Sequence, residues 1–351
     1  MQKYYTRACN FYYGRKSIEK VLNKTALPLS NSNLLSFDSI EIITRKKTKR
    51  IHIKKINLLN SSLKKKIRKD LKEITKKKKF KGLNFSEIPI LMGVLNLTPD
   101  SFSDGGKYNK KNKGFNHAKY LINKGCKILD VGGESTRPGS EEIDKKKEWK
   151  RISGTLKKLI NLKKIISLDT RKSWIMKKGI DCKVNLINDV SGLSYDSNTL
   201  DILKKTKIPF VIHHMKGRPK TMQDYPYYKN VLLDIYDYFE EKIKLIREKK
   251  IKHNNIILDP GIGFGKNLKH NITLINKISI FHTLGFPVML GISKKRFIKD
   301  ISVNNDSKER IGGTTSSSIY AYLQGVQILR VHDVNEIKQA MKVFTKIILN
   351  K

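Results

Sequence analysis

The chain has 351 residues, enough for one large domain or two ordinary ones, and its 38% hydrophobic content permits a packed core despite a formal net charge of +42. No apolar run approaches the ~20 residues needed to cross a bilayer. The three cysteines, Cys9, Cys126 and Cys182, are too far apart for a Cys-x-x-Cys motif, which argues against a disulfide framework or zinc finger and fits a reducing cytoplasm.

The first element in chain order is "MQKYYTRACNFYYGRK", basic and aromatic without a continuous apolar stretch, so no secretory signal is expected. Two alternating stretches, "FDSIEIITR" (37–45) and "RIHIKKINL" (50–58), predict short strands. "SSLKKKIRKDLKEIT" spaces Leu63, Ile67, Leu71 and Ile74 as one apolar stripe of a helix. Residues 44–81 are nearly half Lys and Arg, ending near the block "KKKKFKG" (76–82). Lys, Asn and Ile are over-used along the whole chain, so this charge is read as compositional bias on solvated faces, with a nucleic-acid-binding arm as the alternative. Residues 1–86 are therefore expected to form a small basic accessory segment, either packed on the main domain or partly loose.

From residue 87 to 351 the pattern changes. Eight short apolar runs appear: "IPILMGVLN", "CKILDVG", "KIISLDT", "VNLINDV", "IPFVIHHM", "NIILDPG", "FPVMLGIS" and "VQILRVHD". Stretches of helical periodicity separate them. Eight such alternations over about 260 residues match a (β/α)8 TIM barrel, with a doubly wound open sheet as the competitor.

Each run ends in a polar or charged group. In order they are Asn96, Asp130, Asp169, Asn188 with Asp189, His213, Asp259, Ser293 with Lys295, and Arg330 with His332. Unpaired burial of such groups costs about several kcal/mol each, whereas barrel enzymes gather their sites at this end of the strands. Asp169, Asn188 and Asp259 suit a flat heterocycle rich in N–H donors. Lys295, Arg330 and His332 suit a phosphate or diphosphate. Asn96 offers one neutral oxygen to a Mg²⁺ that already carries phosphate oxygens and water. The stretches "GVLNLTPDSFSDGG" (93–106) and "GESTRPG" (133–139) are polar, contain Gly and Pro, and fit lids. "DPGIGFGK" (259–266) lacks the G-x-G-x-x-G spacing, and it fits close backbone approach to a ligand with Phe264 over the pocket better than it fits nucleotide binding.

Together these motifs resemble the dihydropteroate synthase family. The resemblance rests on "MGVLNLTPDSFSDGG" (92–106), "LDVGGESTRPGS" (129–140), "ISLDT" (166–170), "INDVSG" (187–192), "HHMKGRPKTMQ" (213–223), "ILDPGIGFGK" (257–266), "GISKKRFI" (291–298) and "LRVHDV" (329–334), in order and at barrel spacing. It implies a homodimeric cytoplasmic enzyme that joins a dihydropterin-methyl diphosphate to 4-aminobenzoate with Mg²⁺. It also implies roles. Asp169, Asn188, Asp259 and Lys295 would hold the pterin. Asn96, Thr136, Arg330 and His332 would hold diphosphate and Mg²⁺. Phe102, Pro138, Phe264 and Lys295 would line the aminobenzoate pocket, with Asp100 and Arg137 closing the loops. One departure is "SKKR", where the family commonly carries arginine at the position of Lys294. A corrinoid-dependent methyltransferase barrel and a non-catalytic paralogue are the other readings these residues permit.

Overall fold

The computed structural model describes residues 2–85, 89–98, 112–137, 139–303 and 306–350. The N-terminal part is a four-stranded antiparallel sheet with two helices. In chain order these are β1 (Tyr5–Tyr13), α1 (Gly14–Leu22), β2 (Leu27–Leu29), β3 (Ser32–Ile43), β4 (Thr48–His52), a 3-10 turn (Ile53–Leu58) and α2 (Ser61–Thr75). β1 pairs with one edge of β3, while β2 and β4 share the other. The predicted stripe of α2 is on the inside: Ile67 and Ile74 are buried in a cluster with Ala8, Leu35, Phe37 and Ile40, and Leu63 and Leu71 pack on it. The helix starts where the Asn60 side chain accepts from the Leu63 N–H, a cap of the expected kind.

One expectation needs correction here. The second predicted strand stops at His52, and "IKKINL" winds into the 3-10 turn, burying Ile56. β1 is a strand for which the sequence carries no signal. Tyr5 to Cys9 are buried without a break, because one face meets α2 and the other meets the barrel, so no polar alternation marks the strand. The segment packs rather than hanging loose. Tyr5 and Ile43 belong to the main core.

The barrel follows. Its elements are β5 (Ile90–Asn96), α3 (Lys113–Lys124), β6 (Ile128–Gly132), α4 (Lys145–Ile160), β7 (Ile165–Asp169), α5 (Ser173–Asp181), β8 (Leu186–Asp189), α6 (Thr199–Thr206), β9 (Phe210–His213), α7 (Val231–Glu248), β10 (Ile256–Asp259), α8 (Leu268–Asn276), β11 (Met289–Leu290), α9 (Arg296–Ser302), α10 (Ile311–Leu323), β12 (Ile328–Val331) and α11 (Val334–Leu349). The sheet runs β10-β9-β8-β7-β6-β5-β12-β11, all parallel, and a bridge from Leu258 to Val288 brings its two ends together. Eight parallel strands ringed by helices form the expected TIM barrel. Among the described residues no helix is long and apolar enough to cross a membrane.

The strand register explains where chemistry can sit. Side chains alternate with period two. Ile128, Leu186, Val211, Ile257 and Ile328 point inward and make one apolar layer with Met92 and Met289. Two residues further along five of these strands, the inward positions hold Asp130, Asn188, His213, Asp259 and Arg330. The N-terminal end of the barrel is sealed from below by Phe80, Leu83 and Phe85. The basic block thus supplies Phe80 to the plug, and Lys78 within the block is 2% exposed. Its Nζ donates to the carbonyls of Glu73 (2.7 Å) and His282 (3.1 Å), and burial lowers its pKa to about 7.

Candidate active site

A cavity of about 490 Å³ opens at the C-terminal ends of the strands. Of the residues expected there, Asn96, Thr136, Arg137, Asp169, Phe264, Lys295, Arg330 and His332 line it. Asn188 and Asp259 do not line it; they are 2% and 3% exposed and lie next to lining residues, Asn188 paired with Asp169 across neighbouring strands and Asp259 below Gly291. Asp100, Phe102 and Pro138 fall outside the described residues. His213 is not a rim residue. It is buried, its Nδ1 lies 3.0 Å from the Val190 carbonyl oxygen, and its ring meets Phe264 edge-on.

The floor is a charged network. Arg330 donates from Nε to Asp130 Oδ2 (2.7 Å) and from Nη2 to Asp169 Oδ2 (2.8 Å). Asn188 Nδ2 donates to the same Asp130 oxygen at 3.0 Å. Two carboxylates therefore share one guanidinium. Burial and the neighbouring Asp130 charge push Asp169 well above the usual carboxylate range, against the pull of Arg330. Asp259 accepts from the Gly261 N–H at 2.8 Å, and burial raises it from 3.8 to about 6 despite that bond and the nearby cations. Its other oxygen makes no hydrogen bond to the described residues. A Cβ on Gly291 would come within 3.9 Å of it, so the missing side chain there leaves room above the carboxylate.

The rim is cationic. Lys295 Nζ stands 4.3 Å from the centre of the Phe264 ring, a cation–π placement, and burial together with Arg330 lowers its pKa to about 8. His332 lies against Ser293, with Nδ1 and Oγ 3.1 Å apart, and burial beside Arg330 holds it well below its ordinary value. The charge of Arg137 is felt at both Lys295 and His332. Lys294 takes a positive φ of 58° and pairs with Asp333 at 2.8 Å. A single-oxygen contact of that kind needs a point charge, which lysine supplies as well as arginine.

Three loops are held by interactions that the sequence does not disclose. The "GESTRPG" stem is anchored by Glu134, which accepts from Arg171 Nε (3.0 Å), Lys172 Nζ (2.7 Å) and the Ile143 N–H (3.0 Å). Lys172 also reaches Glu148 at 2.7 Å. The loops after β9 and β10 are joined by Gln223 Nε2 to the Gly263 carbonyl (2.6 Å) and Tyr228 OH to the Gly265 carbonyl (2.9 Å). Buried Lys266 donates to the Phe264 carbonyl and approaches His214 Nδ1, both at 2.9 Å. Gly265 has φ +63°, and a Cβ there would run into the Lys216 carbonyl oxygen. Gly265→Ala is therefore expected to destabilise the protein by about 1–3 kcal/mol from backbone strain alone. Thermal melting should show a drop, and an unchanged Tm would refute the close packing of these two loops.

A parallel barrel with acceptors on its floor and cations at its rim fits an enzyme that holds a donor-rich heterocycle beside an anion. The family described as pterin binding enzyme matches residues 92–332, and the chain belongs to that family. Its relatives there are dihydropteroate synthases. The Escherichia coli K12 enzyme is 39% identical over 256 residues, 73% of this chain and 90% of that protein. The Bacillus subtilis 168 enzyme is 37% identical over 271 residues, 77% and 92% respectively. Among solved structures, Yersinia pestis dihydropteroate synthase in a sulfonamide complex aligns with a TM-score of 0.73 and 36% identity, covering 77% of this chain and 98% of that one. The Xanthomonas albilineans enzyme with 4-aminobenzoic acid gives 0.71 and 31%, covering 77% and 96%.

Proposed function

We propose that the chain condenses a (dihydropterin-6-yl)methyl diphosphate with 4-aminobenzoate, releasing diphosphate and forming dihydropteroate for folate biosynthesis. The observation that carries this reading is a pair of open acceptors beneath the cavity. Asn188 Oδ1 is fully buried with no hydrogen-bond partner among the described residues, and one oxygen of Asp259 is likewise without one. A group left this way costs about 1–3 kcal/mol, and a bound dihydropterin has the N–H edge that would satisfy both.

The residue roles follow from position. Asn188 and Asp259 accept from the pterin, and Lys295 covers its upper side with Phe264. As the diphosphate leaves, the methylene carbon gains positive charge. The carboxylates of Asp169 and Asp259, fixed in a site of low dielectric, stabilise that charge. Lys295, Arg330 and His332 meet the departing anion. A diphosphate beside His332 reverses the balance that keeps its imidazole neutral. The aniline is a weak nucleophile that needs no strong base, so its alignment and the exclusion of water matter most. Phe264 supplies part of the apolar wall for its ring, and Phe102, Pro138, Asp100 and Arg137 are assigned to the closing loops by resemblance.

Among the described residues no group of three His, Cys, Asp or Glu could hold a metal. Asn96, whose amide makes no hydrogen bond to the described residues, suits one neutral ligand of an ion that arrives with diphosphate oxygens and water. Such an ion would offset charge on the leaving group. Thr136 lies on the same rim. In this reading residues 1–86 are an accessory unit to the barrel of 87–351, and the enzyme works in the cytoplasm as a homodimer.

The test is diphosphate release from purified protein given both substrates and Mg²⁺. Lys295→Ala and Asp169→Ala are each expected to lower kcat/KM by about 100-fold or more. Release that is unchanged in both variants would remove the site assignment.

A further inference from the structure

We propose that Asp130 is a positioning residue that decides which end of the Asn188 amide faces the pterin. The inference rests on the pterin reading above and adds a determinant of substrate choice that does not touch substrate. Asp130 sits at the inward position between Ile128 and Gly132 on β6 and is 0% exposed. It does not line the cavity. Its Oδ2 accepts from both Asn188 Nδ2 (3.0 Å) and Arg330 Nε (2.7 Å).

The two ends of an asparagine amide have nearly the same shape, so partners alone decide which end points where. An ionised carboxylate only accepts. Beside Asp130, Asn188 must turn its NH2 downward, and its Oδ1 is left as an acceptor. That Oδ1 is the buried, unpartnered atom at the floor. Together with the open oxygen of Asp259 above Gly291, it gives the floor one polarity. The floor takes a heterocycle edge made of N–H donors and rejects one made of ring acceptors. The same Asp130 oxygen also fixes Arg330, so one buried carboxylate sets the orientation of a floor group and a rim group. Stability alone does not explain a carboxylate here. A buried ion pair is often no better than packed apolar side chains, and the layer directly below is apolar.

The test is a pair of substitutions. In Asp130→Asn the amide oxygen can take the Oδ2 position and still accept from both Arg330 Nε and Asn188 Nδ2, because one atom serves both donors. Pterin KM should therefore stay within about fivefold of wild type. Asp130→Leu fills a similar volume and accepts nothing, so the Asn188 amide loses the partner that orients it and is free to turn its NH2 toward the pterin. KM for the pterin substrate should rise about 10- to 100-fold, with KM for aminobenzoate within about twofold. Wild-type pterin KM in Asp130→Leu, or an Asp130→Asn variant no better than Asp130→Leu, would overturn the proposal. If Asp130→Leu does not fold, Asp130→Ala takes its place and is compared with Asp130→Asn by calorimetric binding of the pterin substrate, and equal affinity overturns the proposal. A wild-type protein that neither binds the pterin diphosphate nor releases diphosphate would instead sink the functional reading itself.

Discussion

Asp259→Asn is expected to give a protein that melts higher than wild type at neutral pH yet has lost nearly all activity. The wild-type carboxyl is held at about 6 in the fold against an ordinary 3.8. As pH rises through that interval the unfolded chain loses its proton first. The folded state binds more protons there, so stability falls with rising pH, and the full penalty is present above about 6. The shift corresponds to a penalty of about 3 kcal/mol at most. Asparagine keeps an oxygen for the Gly261 N–H and carries no charge, so it escapes that penalty. The melting advantage should vanish below about pH 4, where the wild-type carboxyl is protonated in both states. Catalysis should suffer because the amide puts a donor where the pterin has donors and removes a fixed negative charge, a loss of about 100- to 1,000-fold in kcat/KM. Melting curves across this pH range, with diphosphate release at neutral pH, check both halves. A variant that melts lower than wild type at neutral pH would show that Asp259 stabilises the fold, contrary to its burial.

Removal of residues 1–86 is expected to leave a barrel that does not fold cooperatively. β1 runs along the 3-10 turn at Ile278–Leu284, where Ser279 Oγ donates to the Ala8 carbonyl (3.1 Å) and Arg7 Nη1 to Ser279 Oγ (3.3 Å). Tyr5 packs edge-on against Tyr236 and donates to Asp237 at 2.9 Å. Arg45 bridges Asp234 and Asp237 of α7 at 2.7 and 2.6 Å, and Lys3 holds Asp237 at 2.6 Å. The exposed pairs contribute little individually. The larger losses are Tyr5, Ile43 and Phe80 from the two barrel cores. At about 1.5–3 kcal/mol for each buried side chain, their removal rivals a whole protein's stability of about 5–15 kcal/mol. Expression of 87–351 should yield aggregate or a species without a melting transition. A soluble, active fragment would show that the N-terminal sheet is dispensable.

Much of the barrel is legible in the sequence because each strand is a short apolar run closed by a polar residue, and eight of these recur with helical stretches between them. Asp169, Lys295, Arg330 and His332 are found this way and do meet around one cavity. Pairings are not legible. Asp130 reads as one strand end among eight, and nothing in its type reveals that a single oxygen serves Asn188 and Arg330. Arg330 reads as a phosphate fork, while in the fold two of its donors go to Asp130 and Asp169. β1 is hidden for a different reason: covered on both faces, it lacks the alternation that exposes a half-buried strand. Phe80 is masked by its neighbours, since four consecutive lysines announce a solvated surface even as the next residue closes the barrel floor.

The change from apolar to polar inward residues within two steps along β6, β8, β10 and β12 separates folding from recognition by depth. Ile128, Leu186, Ile257 and Ile328 form a foundation storey, and Asp130, Asn188, Asp259 and Arg330 form a reading storey directly above it. Evolution or design can rewrite the upper storey as a unit to fit a different ring edge while the lower one goes on holding the strands together. Selectivity in this scaffold is therefore adjustable without a new backbone.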